Sequence, residues 1–586
     1  MPSERPTIAQ RTSFVQRGAD YFGLSGPAEF ITAAIFVVLM IALRIANLIS
    51  YRFDSDESQH LHVVWAWAHG FVQYRDIFDN HMPLFHIMFA PVYKLIGERP
   101  AILYWMRFIM LPLYFVAAWC TYRIGTLLFS RRAGIWAVVL VGFYPAYHFI
   151  SLQFRTDNVW ALFWLLCVTV LMGGELSARR ALKAGLLLGL CFAVSMKSSL
   201  FLVSILVAAP LTVFVVGRER LGQSWSHLAQ CAAAFLVTTL IVPAAVIIFF
   251  ALEGVWRDFR YCVFDFNVLA SRLAGGELFY KSHPVVAAAF FLVVAGICVY
   301  IGRQLARHSA NPGLAVRRAF VFFVCASYFL ALESRLWPLL SHDNDPPFYP
   351  LVFVLISGVA LGVSDRLARQ KRNVLGNLRP RSLIQIAAAA EVVLSVTMHP
   401  FWKNRTKSEA DLLRDVLALT TPADYVFDCK GETVFRTRCF RPVLEKMTVA
   451  CIRTGVIVDN APQRCIDTRT CVVATELKKR ISLNTRRFLK HCYLPVAGNL
   501  RVAGAELQPS SADPYRFDFE VVIPASYEII YIDERVRGTL DGIPCNGARF
   551  LGPGRHTFES ESTFQNLFLL WAPAVDRHFT PYHRVS

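Results

Sequence analysis

Apolar stretches alternate with short polar connections from residue 29 to residue 398. Eleven of these stretches approach the roughly 20 apolar residues with which a helix crosses a hydrocarbon core of about 30 Å. They lie at about 29–50, 102–128, 133–150, 157–173, 181–196, 198–216, 229–252, 284–302, 317–337, 347–363 and 382–398. The pair from 181 to 216 also fits one broken helix. The pattern predicts a mainly α-helical, polytopic bundle of about 11–13 transmembrane helices.

The chain changes character near residue 400, where long apolar runs stop and charged residues and prolines return. LLRDVLAL at 412–419 predicts a helix, whereas YVFD at 425–428 and YEIIYIDE at 527–534 predict strands. We expect an α/β segment followed by a small β-sandwich, with a soft boundary near Leu500. The expected domains are an N-terminal cytoplasmic segment at 1–28, a transmembrane domain at 29–400 whose first external loop is 51–100, and a soluble extracytoplasmic domain at 401–586.

Lysines and arginines predict the orientation. About 28 polar residues precede the first stretch, which is too long and too late for a signal peptide and is expected to stay as an anchor. With the N-terminus inside, the short basic connections all fall in the cytoplasm, as the positive-inside rule requires. They carry Arg131, Arg132, Arg179, Arg180, Lys183, Arg218, Arg220, Arg303, Arg307, Arg317, Arg318, Arg366, Arg369, Lys371, Arg372, Arg379 and Arg381. We therefore expect a multi-pass protein of the inner (plasma) membrane with its active site and C-terminal domain on the periplasmic face.

Composition supports the membrane interpretation. Hydrophobic residues make up 55% of the chain and charged residues 17%, whereas a soluble domain carries about 25% charged residues. The net charge of +18 raises the question of nucleic-acid binding. The positive-inside pattern already accounts for much of this excess, so no nucleic-acid partner is expected.

Half of the fourteen cysteines lie in or beside apolar stretches, as small buried side chains do. The other seven are Cys429, Cys439, Cys451, Cys465, Cys471, Cys492 and Cys545. In a tail outside the cytoplasm they predict structural disulfides, at least two of them. Their spacing contains no CxxC pair, which leaves a metal site as a minor alternative.

The first external loop concentrates titratable residues in DSDESQHLHVVWAWAHGFVQYRDIFDNHMPLFH at 54–86. Charged groups held against a bilayer are costly and mark functional sites. The alternative is a solvated amphipathic loop at the headgroup level. The acids and histidines of the loop are Asp54, Asp56, Glu57, Asp76, Asp79, His60, His62, His69, His81 and His86.

The order of residues in this loop resembles that of the GT-C glycosyltransferases. An acidic pair follows the first span, a G-x-x-x-Y-x-D element comes next, and an acid stands shortly before Pro-Leu. These elements are Asp56 and Glu57, then Gly70, Tyr74 and Asp76, then Asp79 ahead of Pro83 and Leu84. The pattern is similar to that of protein O-mannosyltransferases and lipid A aminoarabinose transferases over roughly residues 29–400, and the tail matches only loosely.

The resemblance implies site residues. Asp56 corresponds to the catalytic or acceptor-orienting acid, with Glu57 beside it, and Asp157 in FRTDN corresponds to a second acid at the end of a later helix. Aminoarabinose transferases carry a lysine ahead of Pro-Leu that helps to hold the carrier phosphate, whereas this chain has His81. The resemblance also implies that His60, Tyr74, Asp76, Asp79 and Tyr349 border the substrate cavity.

Transfer of a sugar from a phosphate carrier needs a base for the acceptor proton and cations for the departing phosphate. Candidate cations are Arg75, His81, Arg155 and Lys197. Lys197 in SMKSS suits phosphate binding better than snorkelling. Two other external loops are weaker candidates. FRYCVFDFN at 259–267 fits an aromatic belt or a cover for the site, and SHDNDPPFYP at 341–350 holds His342, Asp343 and Asp345, weak evidence for a divalent cation.

The sequence thus predicts a membrane glycosyltransferase with a polyprenyl-phosphate-linked sugar as donor. The acceptor is a lipid, a glycan or a protein, and the sugar stays open. A nucleotide-sugar donor is disfavoured because no glycine-rich phosphate loop is apparent. The alternatives are a transporter or flippase for lipid-linked saccharides and a non-catalytic envelope assembly protein; few ionisable residues in the mid-membrane segments speak against the first.

Overall fold

The structure, a computed structural model, describes residues 13–274, 283–333, 344–370, 382–475 and 478–582. Helices dominate up to residue 398. They are α1 (Phe14–Phe22), α2 (Pro27–Ser50), α3 (Ser55–Ala68), α4 (Leu84–Ile96), α5 (Ile102–Leu128), α6 (Arg131–Phe143), α7 (Pro145–Ile150), α8 (Thr156–Met172), α9 (Ala178–Val194), α10 (Ser198–Val216), α11 (Trp225–Leu252), α12 (Trp256–Arg260), α13 (Phe266–Ala274), α14 (Pro284–Arg307), α15 (Pro312–Glu333), α16 (Tyr349–Arg369) and α17 (Leu383–Met398). A π-helix, Tyr261–Asp265, joins α12 to α13.

Over its described residues, each predicted apolar stretch coincides with helical structure. Among the described residues, seven helices are long and apolar enough to cross a membrane: α2, α5, α10, α11, α14, α15 and α16. The other four stretches form the shorter helices α6, α8, α9 and α17, of 13, 17, 17 and 16 residues. The predicted multi-pass membrane protein is therefore confirmed.

Two stretches of the prediction are refined by backbone chemistry. The stretch 133–150 is broken, because Tyr144 precedes Pro145 and the residue before a proline avoids the α conformation; α6 ends at Phe143 and α7 restarts at Pro145. The pair 181–216 is two helices. The extended Ser195, with φ −153° and ψ 132°, ends α9, and α10 begins at Ser198.

The chain forms two compact units. The first comprises Met1–Tyr51, Arg107–Val246 and Glu277–Lys403, and the second comprises Arg52–Met106, Ile247–Gly276 and Asn404–Ser586. In the first unit, α2, α6, α16 and α17 share a core that includes Met40, Trp136, Phe143 and Ala388. A buried carboxylate ties α2 to α6, because Glu29 Oε1 accepts from Arg132 Nε and from the Trp136 indole, each at 2.8 Å.

The tail portion of the second unit is an α/β structure. Its helices are α18 (Lys407–Leu419), α19 (Lys446–Arg453), α20 (Ala461–Asp467), α21 (Leu483–Cys492) and α22 (Ala572–Asp576). Its strands are β1 (Tyr425–Phe427), β2 (Thr437–Arg438), β3 (Val472–Ala474), β4 (Tyr493–Ala497), β5 (Leu500–Leu507), β6 (Arg516–Val521), β7 (Ala525–Tyr531), β8 (Glu534–Arg535), β9 (Gly538–Leu540), β10 (Ile543–Cys545), β11 (Arg549–Leu551), β12 (Gly554–Ser560) and β13 (Leu567–Trp571). The predicted helix at 412–419 and the two predicted strands are present.

The strands make a nine-stranded sheet in the order β11-β7-β13-β5-β3-β1-β2, with β4 on β5 and β8 on β7, and a four-stranded sheet in the order β10-β9-β12-β6. The β1–β2 and β1–β3 pairs are parallel. The soft boundary near Leu500 needs correction. The strand that begins there pairs with β3 and β4 and also with β13, so the large sheet runs through it.

The predicted disulfides also need correction. Within the described residues no cysteine forms a disulfide, and the seven of the tail are all buried. The sulfur atoms of Cys439 and Cys465 lie 3.5 Å apart, in hydrogen-bond contact. The tail cysteines are dispersed through its apolar core, where a thiol packs as a small hydrophobic group.

Candidate active site

The acidic pair after the first span lies at the start of α3, in the second unit. Asp54 caps this helix, since its Oδ1 accepts from the Asp56 backbone N–H at 3.0 Å. Glu57 Oε1 completes a capping box by accepting from the Asp54 backbone N–H, also at 3.0 Å. Glu57 is buried, whereas the Asp56 side chain remains 25% exposed. Of the pair, the Asp56 carboxylate is the one that a substrate could reach, whereas the Glu57 carboxylate stabilises the start of the helix.

Asp79 is fully buried among donors. Its Oδ1 accepts from Gln59 Nε2 and lies next to His81 Nδ1, both at 2.9 Å, and its Oδ2 accepts from Gln73 Nε2 at 2.6 Å. Burial opposes ionisation, but the charge of His81 and the hydrogen bonds from His81 and Gln59 hold the pKa of Asp79 below its ordinary value. An ionised carboxylate is therefore kept inside the first loop.

Three histidines join Asp79 in one cluster. Burial lowers the pKa of His81, but the charge and hydrogen bond of Asp79, together with the charges of Glu445 and Asp56, outweigh burial and raise this pKa overall. His86 Nδ1 lies 3.6 Å from Asp79, and burial lowers its pKa to about 4, which leaves the ring neutral. His60 Nδ1 is 3.1 Å from His86 Nε2, and the His60 and His81 rings are 4.6 Å apart. The predicted residues His60, Asp79 and His81 thus meet.

The G-x-x-x-Y-x-D element forms a tight turn. Asp76 Oδ2 accepts from the Val72 backbone N–H at 2.7 Å, and Tyr74 adopts a left-handed φ of 76°. The Tyr74 hydroxyl donates to the His81 carbonyl at 2.7 Å. Arg75 is 53% exposed and pairs with Asp76 at 2.9 Å. Tyr74 and Asp76 shape the loop beneath His81, and the guanidinium of Arg75 is directed to its own neighbour.

The segment 259–267, expected from the sequence to be a loop, is helical, and it packs against this turn within the second unit. Phe259 is buried, with its ring 5.2 Å from that of Tyr74. Asn267 Nδ2 donates to the Asn80 carbonyl at 2.9 Å. Protein side chains enclose the Phe259 ring, whereas Tyr261 is 43% exposed, so the two interpretations of this segment, an aromatic belt or a cover for the site, stay predictions.

A second cluster lies in the first unit, where the structure brings three predicted residues together. Asp157, in the first turn of α8, is 6% exposed. Its Oδ2 accepts from Arg155 Nε and its Oδ1 from Lys197 Nζ, each at 3.2 Å. Lys197 directly precedes α10 and lies 5.6 Å from the Trp160 ring centroid. Both cations contact one carboxylate at the N-terminal ends of two helices.

Tyr349 begins α16 in the same unit. Its hydroxyl donates to Asp345 Oδ2 at 3.1 Å, and its ring lies 5.1 Å from that of Tyr144. The neighbouring His342 and Asp343 lie outside the described residues. Within the described ranges, no group of three or more His, Cys, Asp or Glu residues is arranged to hold a metal ion.

The sequence analysis missed several buried charges. Arg44 in α2 lies 3.4 Å over the Tyr114 ring and donates to Ser151 Oγ at 3.1 Å. Arg107 in α5 donates to the Tyr51 carbonyl at 2.7 Å. In the second unit, Lys430 is buried against Asp56. In the sequence, Lys430 lies in DCKGE, a polar turn directly after the strand YVF, and this turn is the signal that could have pointed to it.

The chemistry that each cluster supports differs. The first loop offers a partly exposed carboxylate, Asp56, with a histidine and carboxylate network beside it, which suits acceptance of a proton. The first-unit cluster offers two cations, which suit an anion such as a phosphate.

Comparison with known proteins bears on both clusters. The family model of the dolichyl-phosphate-mannose-protein mannosyltransferases matches residues 80–246. The matched segment includes Arg155, Asp157 and Lys197, but it begins after Asp56 and so does not include it. Comparison with curated protein sequences finds no match.

Solved structures show similar folds. Apo ArnT from Cupriavidus metallidurans is 13% identical, with a TM-score of 0.51 over 80% of this chain and 98% of ArnT. ArnT bound to undecaprenyl phosphate has 14% identity and a TM-score of 0.46, over 80% and 97% of the two chains. Archaeal oligosaccharyltransferase AglB from Archaeoglobus fulgidus, in complex with an inhibitory peptide and a dolichol-phosphate, has 14% identity and a TM-score of 0.43, over 76% and 70%.

At these identities the likeness to apo ArnT is one of fold. Together with the family model, it confirms the resemblance predicted from the first loop. The chain is thus a multi-pass membrane protein with a GT-C-type fold similar to that of ArnT, and over residues 80–246 it resembles the dolichyl-phosphate-mannose-protein mannosyltransferases.

Proposed function

We propose that this protein is a membrane glycosyltransferase that transfers a sugar from a polyprenyl-phosphate carrier to an acceptor on the periplasmic face. Supporting this, the matched family uses a dolichyl-phosphate-linked sugar. Its match includes Arg155, Asp157 and Lys197, which together are called the cationic cluster. The observation that carries the proposal is the convergence of Arg155 and Lys197 on Asp157.

The cationic cluster would bind the carrier phosphate. A phosphate oxygen accepts charge-assisted hydrogen bonds from guanidinium and ammonium groups. As the bond from the sugar to the phosphate breaks, negative charge grows on the departing oxygen, and fixed cations stabilise that charge. Asp157 keeps both side chains oriented before the carrier arrives.

Asp56 would act as the base. The acceptor hydroxyl loses its proton as its oxygen bonds to the anomeric carbon, and a carboxylate that is both partly exposed and fixed at a helix start can take that proton. Direct displacement by the acceptor inverts the anomeric configuration. The acceptor class is a lipid, a glycan or a protein.

The test is transfer by the purified full-length protein in detergent. Undecaprenyl phosphates carrying radiolabelled hexose, pentose or uronic acid are supplied with an extract of envelope lipids and glycans. We expect label to move from one carrier to an acceptor, and mass spectrometry of envelopes with and without the protein to differ by that sugar. Movement of intact carrier across vesicles without sugar transfer would refute the proposal in favour of a flippase.

A further inference from the structure

A short loop after β1 is held rigidly in the second unit. Buried Asp428 Oδ1 accepts from the Gly431 backbone N–H at 2.8 Å and from Arg438 Nε at 2.7 Å. Its Oδ2 accepts from the backbone N–H and the hydroxyl of Thr433, at 3.0 and 2.6 Å. One carboxylate thus fixes the loop at four points.

This loop lies directly on α3. His62 Nδ1 is 2.7 Å from the Val434 carbonyl. Gly431 has φ +85°, and a Cβ there would lie 2.8 Å from His62 Cβ and 3.2 Å from the Ser58 carbonyl oxygen. Glycine is needed for both reasons, the backbone conformation and the close approach.

The loop delivers a lysine to the candidate base. The Lys430 side chain is 5% exposed, and its Nζ contacts Asp56 Oδ1 and lies 3.7 Å from Glu445 Oε2. Glu445, the residue before α19, also accepts from Asn80 Nδ2 of the first loop at 3.1 Å. The ammonium therefore lies between two carboxylates that are themselves 25% and 16% exposed.

The charges of this trio depend on one another. Burial disfavours the ammonium, but the charges of Asp56 and Glu445 outweigh burial and raise the pKa of Lys430. A lysine is an ammonium with three donors and no acceptor, so it can engage both carboxylates at once. Without Lys430, Asp56 would lose the cation that favours its ionised form.

Building on the proposed function, we propose that Lys430 and Glu445 of the C-terminal portion are positioning residues for transfer. Lys430 keeps Asp56 ionised and fixed in orientation, and Glu445 anchors Lys430 to the first loop through Asn80. The base is then assembled from distant parts of the chain, and turnover depends on the tail as well as on the membrane helices.

The kinetic test compares Lys430→Ala and Lys430→Arg with Lys446→Ala, an exposed lysine of the same region. We expect Lys430→Ala to lower kcat by roughly tenfold or more while the KM for the donor changes little, because the carrier site is untouched. The acid limb of its kcat/KM profile should move to higher pH. Methylammonium should restore part of the turnover, Lys430→Arg should retain part of it, and Lys446→Ala should match the wild type. Unchanged kcat and pH profile in Lys430→Ala would overturn the inference.

A second measurement is independent of activity. Thermal unfolding of Lys430→Met, Asp56→Asn and the double variant forms a double-mutant cycle. We expect Lys430→Met to lower the Tm clearly in the wild-type background and less in the Asp56→Asn background. Equal losses in both backgrounds would refute the contact. If the wild type transfers no sugar, the proposed function fails while this cycle still decides whether Lys430 and Asp56 are coupled.

Discussion

Lys197 Nζ lies 3.2 Å from Oδ1 of Asp157, although the two residues are 40 positions apart in the chain. The other oxygen of Asp157 accepts from Arg155 at the same distance. One carboxylate thus orients two cations, each next to the first turn of a helix. Helix N-termini carry partial positive charge, so the surroundings add to the attraction for an anion.

The first prediction concerns this pair. Lys197→Gln should raise the KM for the carrier-linked donor by about 10- to 100-fold, because a charge-assisted hydrogen bond to phosphate is lost. Asp157→Asn should be equally severe, since both cations lose their anchor. The measurement is transfer rate against donor concentration. Lys183→Gln, an exposed lysine of α9, is the control and should behave as the wild type. A normal KM in Lys197→Gln would contradict a role in phosphate binding.

The second prediction concerns the base. Asp56→Asn keeps size and shape but cannot take a proton, so kcat should fall by about 100-fold to 10,000-fold while carrier binding persists. Single-turnover transfer and a separate binding assay with undecaprenyl phosphate would measure the two effects.

Matched controls for Asp56 lie on either side of it. Asp54→Asn retains a good N-cap and Glu57→Gln retains the capping box, so both should keep most of the activity. Equal extraction yields must be confirmed, since losing a cap costs about 1 kcal/mol. An inactive Asp54→Asn beside an active Asp56→Asn would move the catalytic role to Asp54.

The third prediction is a pH dependence of stability. The partner carboxylate raises the folded-state pKa of His81 above its unfolded value of about 6.5. The pairing therefore contributes fully at a pH below about 6.5 and is lost as the pH rises through the higher folded-state value. His81→Asn should lower the Tm more at about pH 6 than at about pH 9, as measured by thermal unfolding. Arg75→Gln is the control: arginine stays charged at both pH values, so the change in Tm that this substitution causes should be the same at both. A loss of Tm in His81→Asn that is larger at about pH 9 than at about pH 6 would contradict this prediction.

The fourth prediction uses two glycines. Gly431→Ala should destabilise the protein by about 1 kcal/mol for its left-handed backbone. The clash with His62 should add roughly 1–3 kcal/mol. Gly455→Ala is the matched control, because its φ of +74° carries the same strain but no atom lies within 4 Å of the added Cβ. Chemical denaturation measures both. Equal losses of unfolding free energy in Gly431→Ala and Gly455→Ala would mean that the loop does not pack closely against α3 in solution.

The fifth prediction concerns topology. An activity reporter fused after Ser586 should function only outside the cytoplasm, because the basic connections predict that the tail lies opposite the N-terminus. The connection between α10 and α11 is predicted to be cytoplasmic, so a reporter inserted after Arg220 should be active only if it is of a kind that works inside the cytoplasm. Cytoplasmic activity of the Ser586 fusion would reverse the proposed face of the reaction.

The sequence by itself determined the membrane class, the position of each apolar helix and the resemblance carried by the first loop. These properties are local: length and apolarity decide whether a segment can cross a bilayer, and a short motif keeps its order whatever surrounds it. In the first unit, Asp157, Arg155 and Lys197 lie in contact. Asp157 was named through the family resemblance, and Arg155 and Lys197 were named as candidate cations for the phosphate.

Only the tertiary structure decided which candidate side chains have partners and which partners those are. It assigned Glu57 to a helix cap, paired Arg75 with Asp76, and buried the tail cysteines without joining them in disulfides. It also brought Lys430 to Asp56 across 374 positions of sequence. No periodicity or motif encodes such a contact, because it depends on the packing of the 428–436 loop against α3, where a glycine allows two backbones to approach.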